Sequence, residues 1–163
     1  VTTNIISVQK GEKGKPGELK GSIESSKTIG DVSKNTSFGI FGKITNKSNL
    51  KISEQEMEVA TREKIKTGKA QIICEIEDGK KEHYDIEIQK VYTSNNRDNK
   101  SMLIKVTDKK LLEKTGGIIQ GMSGSPIIQN NKFVGAVTHV LVNDPTSGYG
   151  VFADIMLKQM KET

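Results

Sequence analysis

The stretch with the clearest capacity for chemistry is Gly121-Met122-Ser123-Gly124-Ser125-Pro126. Its flanking glycines and the proline three residues after the serine bend the backbone tightly and present one hydroxyl. A serine hydroxyl is a weak nucleophile until a base takes its proton, usually a histidine oriented by a carboxylate. The attacked carbonyl builds negative charge, which backbone N–H groups must meet. Gly121 and Ser123 are the candidate donors of such an oxyanion hole, and a residue without a side chain suits position 121. The nucleophile elbow Gly-x-Ser-x-Gly does not fit. Position 125 is Ser, and Pro126 leads into an apolar run where that motif needs a helix. A plain Gly/Ser turn between strands is the non-catalytic alternative.

Partners for the serine are few. The chain has two histidines, His83 and His139. His83 shares a charged strand face with Asp85 and Glu87. His139 ends the run Gly135-Ala136-Val137-Thr138-His139 and is either a satisfied strand histidine or a substrate-binding one. Asp108 precedes Lys109-Lys110-Leu111-Leu112-Glu113-Lys114 and reads as the N-cap of a short helical turn. Cys74 is in phase with Ile72 and Ile76, as a buried strand thiol would be. Being the single cysteine, it can build neither an internal disulfide nor a Cys-based zinc site. No cofactor or metal is expected.

The elements that must position these residues read as mostly β. At 163 residues the chain makes one domain, or two small lobes sharing a core. Its hydrophobic residues are grouped into short runs, and sixteen glycines favour corners and turns. Strands are expected at residues 5–8, 19–23, 38–44, 70–76, 82–92, 102–106, 133–142 and 149–152, and, from alternation of Met57, Val59 and Thr61, within 56–65. Asp78-Gly79 marks a hairpin. Residues 11–17, 29–32, 35–37, 95–99 and 143–148 read as loops or turns. Residues 154–161 have the spacing of an amphipathic helix with Asp154 as its cap. Glycines among the large apolar residues of 38–44 suggest a bulge or close backbone approach. The sum is an all-β barrel with a short C-terminal helix.

The net charge is +5, and residues 1–50 carry eight lysines against four acids. A solvated lysine-rich face accounts for this, and nucleic-acid binding would rest on charge alone, since tryptophan is absent and aromatics are few. No run approaches the ~20 apolar residues of a membrane span, and no signal peptide is recognisable. The chain opens without an initiator Met, at Val1-Thr2-Thr3-Asn4, so an excised or processed portion of a longer protein is expected.

The run from Gly121 to Pro126, followed by Gly135-Ala136-Val137-Thr138-His139 and Gly148-Tyr149-Gly150-Val151-Phe152, resembles the second barrel of chymotrypsin-like proteases. More specifically, residues 115–157 resemble the SpoIVB peptidase family, the stage IV sporulation serine proteases. Gly11-Glu12-Lys13-Gly14-Lys15-Pro16-Gly17 and Gly39-Ile40-Phe41-Gly42 extend the resemblance over nearly all of residues 1–163. It implies a chymotrypsin-like fold with an incomplete first barrel, and an endopeptidase with a His–Asp–Ser triad. By position, Ser123 is the nucleophile and Asp108 the triad aspartate. The family's histidine lies in a Gly-His-Gly context upstream of the Gly-Glu-Lys-Gly stretch, and no such motif occurs in this sequence. The chain is therefore expected to start after that histidine and to be inactive alone. His139 falls where such enzymes line the substrate cleft.

The resemblance also implies a membrane anchor and a PDZ module ahead of the peptidase. It implies export into the space between forespore and mother cell, self-cleavage, and cleavage of a membrane-associated regulator that triggers sigma factor processing. The competing expectation is a non-catalytic barrel, a decayed protease fold that binds a protein partner.

Overall fold

The computed structural model describes residues 2–26, 28–47, 56–93 and 99–161. The first two strands, β1 (Thr2–Gln9) and β2 (Glu18–Glu24), form an antiparallel hairpin. Its loop is the Gly-rich 11–17 segment, as expected. A second hairpin follows from β3 (Gly30–Thr36) and β4 (Gly39–Ile44). After a 3-10 turn (Arg62–Lys64) come β5 (Gly68–Glu77), β6 (Lys80–Val91) and β7 (Met102–Val106). Helix α1 (Lys109–Thr115) leads to β8 (Pro126–Gln129), β9 (Lys132–Leu141), β10 (Asp144–Phe152) and a last helix, α2 (Ala153–Lys161). The last six strands close a barrel in the order β10-β7-β6-β5-β8-β9. The fold is all-β and chymotrypsin-like in its barrel, while residues before 45 form two separate two-stranded sheets.

The barrel follows from the two-residue period of its strands. Ile72, Cys74 and Ile76 of β5 and Tyr84, Ile86 and Ile88 of β6 point inward, with Ile72 paired opposite Tyr84. His83, Asp85, Glu87 and Gln89 consequently face outward. Met102, Ile104, Leu111 and Ile127 complete a fully buried interior, and Val8 and Leu19 of the first hairpin pack against it. At the β8–β9 turn Asn130 and Asn131 both take positive φ (51° and 58°), the pairing a tight hairpin loop requires. No helix among the described residues is long and apolar enough to cross a membrane.

Four sequence readings need correction. Residues 29–32 and 35–37, read as turns, lie largely in β3. Weak strand formers are held there by β4, whose Gly42 approaches so closely that a Cβ would meet Asp31 O at 2.1 Å. Residues 56–65, read as a strand, make only a bridge at Val59 to Phe133 before the 3-10 turn. Met57 gains no core contact from its alternation and stays exposed. Third, β10 begins at Asp144, leaving Val142 and Asn143 as the turn. Finally, α2 starts at Ala153, and Asp154 pairs instead with Arg62 Nε at 2.8 Å. The loop tip expected at 95–99 lies outside the described residues except for Asn99.

Asp144 organises the start of β10. Its Oδ1 accepts from Thr146 Oγ1 at 2.6 Å and from Thr146 N at 3.2 Å, and its Oδ2 accepts from Ser147 Oγ at 2.7 Å. The hydroxyls of Thr146 and Ser147 hold the carboxyl below the usual aspartate range. A depressed folded-state pKa contributes stability that is present above the unfolded value and lost as pH falls through the folded one. Asp144→Asn is expected to cost about 1 kcal/mol at neutral pH. In thermal melts of both proteins from neutral pH downward, the gap should close below the ordinary carboxyl pKa of about 4.

Candidate active site

The Ser123 loop is built from its two ends. At the end of α1, Gly116 adopts φ 75° and donates to Leu112 O, which turns the chain toward the barrel. Ile118 N then donates to Pro145 O at 2.7 Å and Gln120 N to Gly17 O at 2.9 Å, while Leu19 N donates to Gln120 O at 2.8 Å. The segment is thus clamped between β10 and the first hairpin. Ile118, Ile119 and Met122 are buried beneath it.

Within the bend the amides divide into two sets. Met122 N donates to Ile119 O (3.1 Å), Gly124 N to Val137 O (2.8 Å) and Ser125 N to Met122 O (3.1 Å). The N–H groups of Gly121 and Ser123 meet no acceptor among the described residues. Gly121 has φ 97°, a left-handed value that suits glycine, and a Cβ there would meet Leu19 Cβ at 2.9 Å. Ser123 is exposed, and its Oγ donates to Thr138 O at 2.9 Å. The loop separates two cavities. Gly121, Met122 and Ser125 line one of about 440 Å³, walled by the first hairpin and by Cys74. Ser123 and Gly124 line the other, of about 540 Å³, together with the tip of the second hairpin, Thr138 and His139.

The remaining sequence candidates are dispersed. His139 is exposed on β9 and shares the Ser123 cavity, without a hydrogen bond between the two side chains. His83 is on the outer face of β6, its Nδ1 3.3 Å from Gln71 Oε1, and is not part of that cavity. Asp108 caps α1 as read from the sequence: Oδ1 accepts from Leu111 N at 3.0 Å. Its Oδ2 accepts from Asp85 N at 3.2 Å, and neither cavity includes it. Asp108→Ala is expected to cost about 1–2 kcal/mol, and Asp108→Asn, whose one oxygen keeps the cap but gives up the Asp85 N–H, about 1 kcal/mol or less. Paired urea melts check this.

Burial, then the charges of Glu82 and Asp108, pushes the Cys74 thiol up to about 12. It stays protonated at neutral pH and is no rival nucleophile. Among the described residues no group of three or more His, Cys, Asp or Glu side chains is placed to hold a metal ion. Two contributors to the serine's surroundings escaped sequence reading. Thr138 supplies the carbonyl that holds the Ser123 proton, and Asn99 bridges Thr138 to the second hairpin. No periodicity or motif marks either residue, because the contacts join segments far apart in the chain.

A closed antiparallel barrel carrying an exposed, glycine-flanked serine on a clamped loop beside a cavity is the architecture of a chymotrypsin-like serine peptidase. The chain belongs to the SpoIVB peptidase S55 family, whose model matches residues 1–157. It is therefore a serine peptidase of the hydrolase class, from a family of sporulation proteins. No curated protein and no solved structure gives a match to it.

Proposed function

We propose that Ser123 is the nucleophile of an endopeptidase whose base is a histidine preceding Val1. One observation carries this reading: the exposed Ser123 hydroxyl sits in a bend where, among the described residues, the Gly121 and Ser123 amides alone are left without acceptors. The proton now held by Thr138 O passes to the imidazole as Oγ attacks the scissile carbonyl. The resulting oxyanion is taken by the two amides. Collapse expels the amine, which leaves with that proton, and water then hydrolyses the acyl-enzyme. Neither His83 nor His139 is hydrogen-bonded to Ser123. His139 contributes to the cleft instead.

We assign Asp108 the place behind the imidazole, a reading that the family resemblance supports. Each of its oxygens accepts one N–H, and a carboxylate oxygen has a second lone pair to offer. In that role, Asp108→Asn lowers turnover by about 10⁴-fold while the cap persists. The same resemblance supports self-cleavage and cleavage of a membrane-associated sporulation regulator, leading to sigma factor processing. It also supports a membrane-tethered precursor acting between forespore and mother cell.

The test extends the chain upstream to include the Gly-His-Gly segment and follows self-cleavage by intact mass, with and without Ser123→Ala. Cleavage that survives the substitution removes Ser123 from the mechanism.

A further inference from the structure

The tip of the β3–β4 hairpin is tied to the serine by a relay of hydrogen bonds. Ser123 Oγ donates to Thr138 O at 2.9 Å, and Thr138 Oγ1 shares its one proton between Asn99 O at 3.0 Å and Tyr149 O at 3.2 Å. Asn99 Nδ2 in turn donates to Ser37 O at 2.7 Å. The tip is closed on itself, with Phe38 N donating to Thr36 Oγ1 at 3.1 Å. Pinned in this way, the tip becomes one wall of the 540 Å³ cavity into which Ser123 opens.

The character of that cavity is unusual for this chain. Although the sequence holds 25 lysines and arginines and 20 acids, no Asp, Glu, Lys or Arg is among the described residues that line it. Phe38 and Ile40 of the tip face a space shared with Val137 and Met156. Ile40 is 67% exposed, so its apolar surface is not spent on the protein's own core. A charged side chain entering the cavity would shed water and meet no carboxylate, ammonium or guanidinium among its described lining residues. An apolar one would gain by leaving water.

We propose that the β3–β4 tip is the specificity wall of the serine's cavity, which takes an apolar, uncharged side chain of the peptide substrate, with Asn99 as the positioning residue that holds the wall in place. This deepens the assignment of Ser123 and rests on it.

The experiment uses peptides identical except for Leu, Ala, Asp or Lys before the cleaved bond. kcat/KM is measured with the upstream-extended chain, and peptide affinity with its Ser123→Ala variant. Leu should exceed Ala by about 10- to 100-fold, and Asp and Lys by more. Phe38→Ala combined with Ile40→Ala should lower the Leu-to-Ala ratio about three- to tenfold, because the tip's share of the apolar wall is lost while Val137, Val151 and Met156 remain. Asn99→Ala should raise KM for the Leu peptide about tenfold, with a much smaller change in kcat, a split that general loss of fold does not produce. Val32→Ala, on the same hairpin but away from the cavity, should keep the wild-type ratio and so control for hairpin folding.

A Leu-to-Ala ratio indifferent to the Phe38 and Ile40 substitutions, or a preference for Asp or Lys, overturns the proposal and leaves the nucleophile untouched. Turnover that survives Ser123→Ala instead overturns the nucleophile. In that event, or if the extended chain is inactive, the affinities decide. Tenfold tighter binding of the Leu peptide than of the Asp peptide supports the wall, and equal binding overturns it.

Discussion

Ser123→Ala in the upstream-extended chain is expected to lower cleavage by about 10⁶-fold, since losing the nucleophile of a triad costs about as much as losing the whole triad. The fold should barely notice. The hydroxyl is exposed, and its one hydrogen bond among the described residues goes to a backbone carbonyl, Thr138 O. Removing such a bond costs about 0.5–1.5 kcal/mol. Urea melts would then show a near-native variant, while mass spectrometry of the reaction shows uncut chain. That combination separates lost chemistry from lost structure. A large drop in stability alongside lost cleavage would instead mean that the loop, and not the hydroxyl, had been disturbed.

Gly121→Ala is expected to give the next largest loss, about 10²–10³-fold in kcat, the typical effect of removing one oxyanion donor. The cause is geometric. At φ 97° an L-residue is strained, and the new Cβ would lie 2.9 Å from Leu19 Cβ. Leu19 cannot easily withdraw, because its N–H is held by Gln120 O at 2.8 Å. The peptide carrying the Gly121 N–H must therefore rotate. Gly124→Ala supplies the comparison. Its φ of 89° imposes similar strain, its Cβ meets nothing within 4 Å, and its N–H is already committed to Val137 O. Comparable destabilisation of the two variants, with a much smaller fall in kcat for Gly124→Ala, would assign the donor to position 121. Equal losses of kcat would remove Gly121 from the oxyanion hole.

The local features of the serine loop were legible because they depend on residue type at fixed spacing. Gly121, Ser123 and Pro126 announce a bend, and Asp108 announces a helix start that the structure bears out through Leu111 N. Alternation along β5 and β6 revealed which side chains face the barrel interior. Other segments misled for a physical reason. Gly30 to Thr36 consists mostly of poor strand formers, yet pairing with β4 makes them a strand. Met57, Val59 and Thr61 alternate like a strand, but their segment finds a partner only at Val59. Asp154 looks like a cap and is claimed instead by Arg62.

Short-range chemistry was thus written in the order of the residues: a strand period, a cap, a hairpin turn, and a serine framed by glycines. Which amides of the bend remain free was decided only in three dimensions, because their competitors, Val137 and Pro145 among them, arrive from other strands. The same holds for the cavity before the serine, whose walls come from residues 36–40, 99, 136–139, 151 and 156. Local propensity acts over a few neighbours along the chain, whereas a site is made where distant segments meet, and closure of the barrel brings them together.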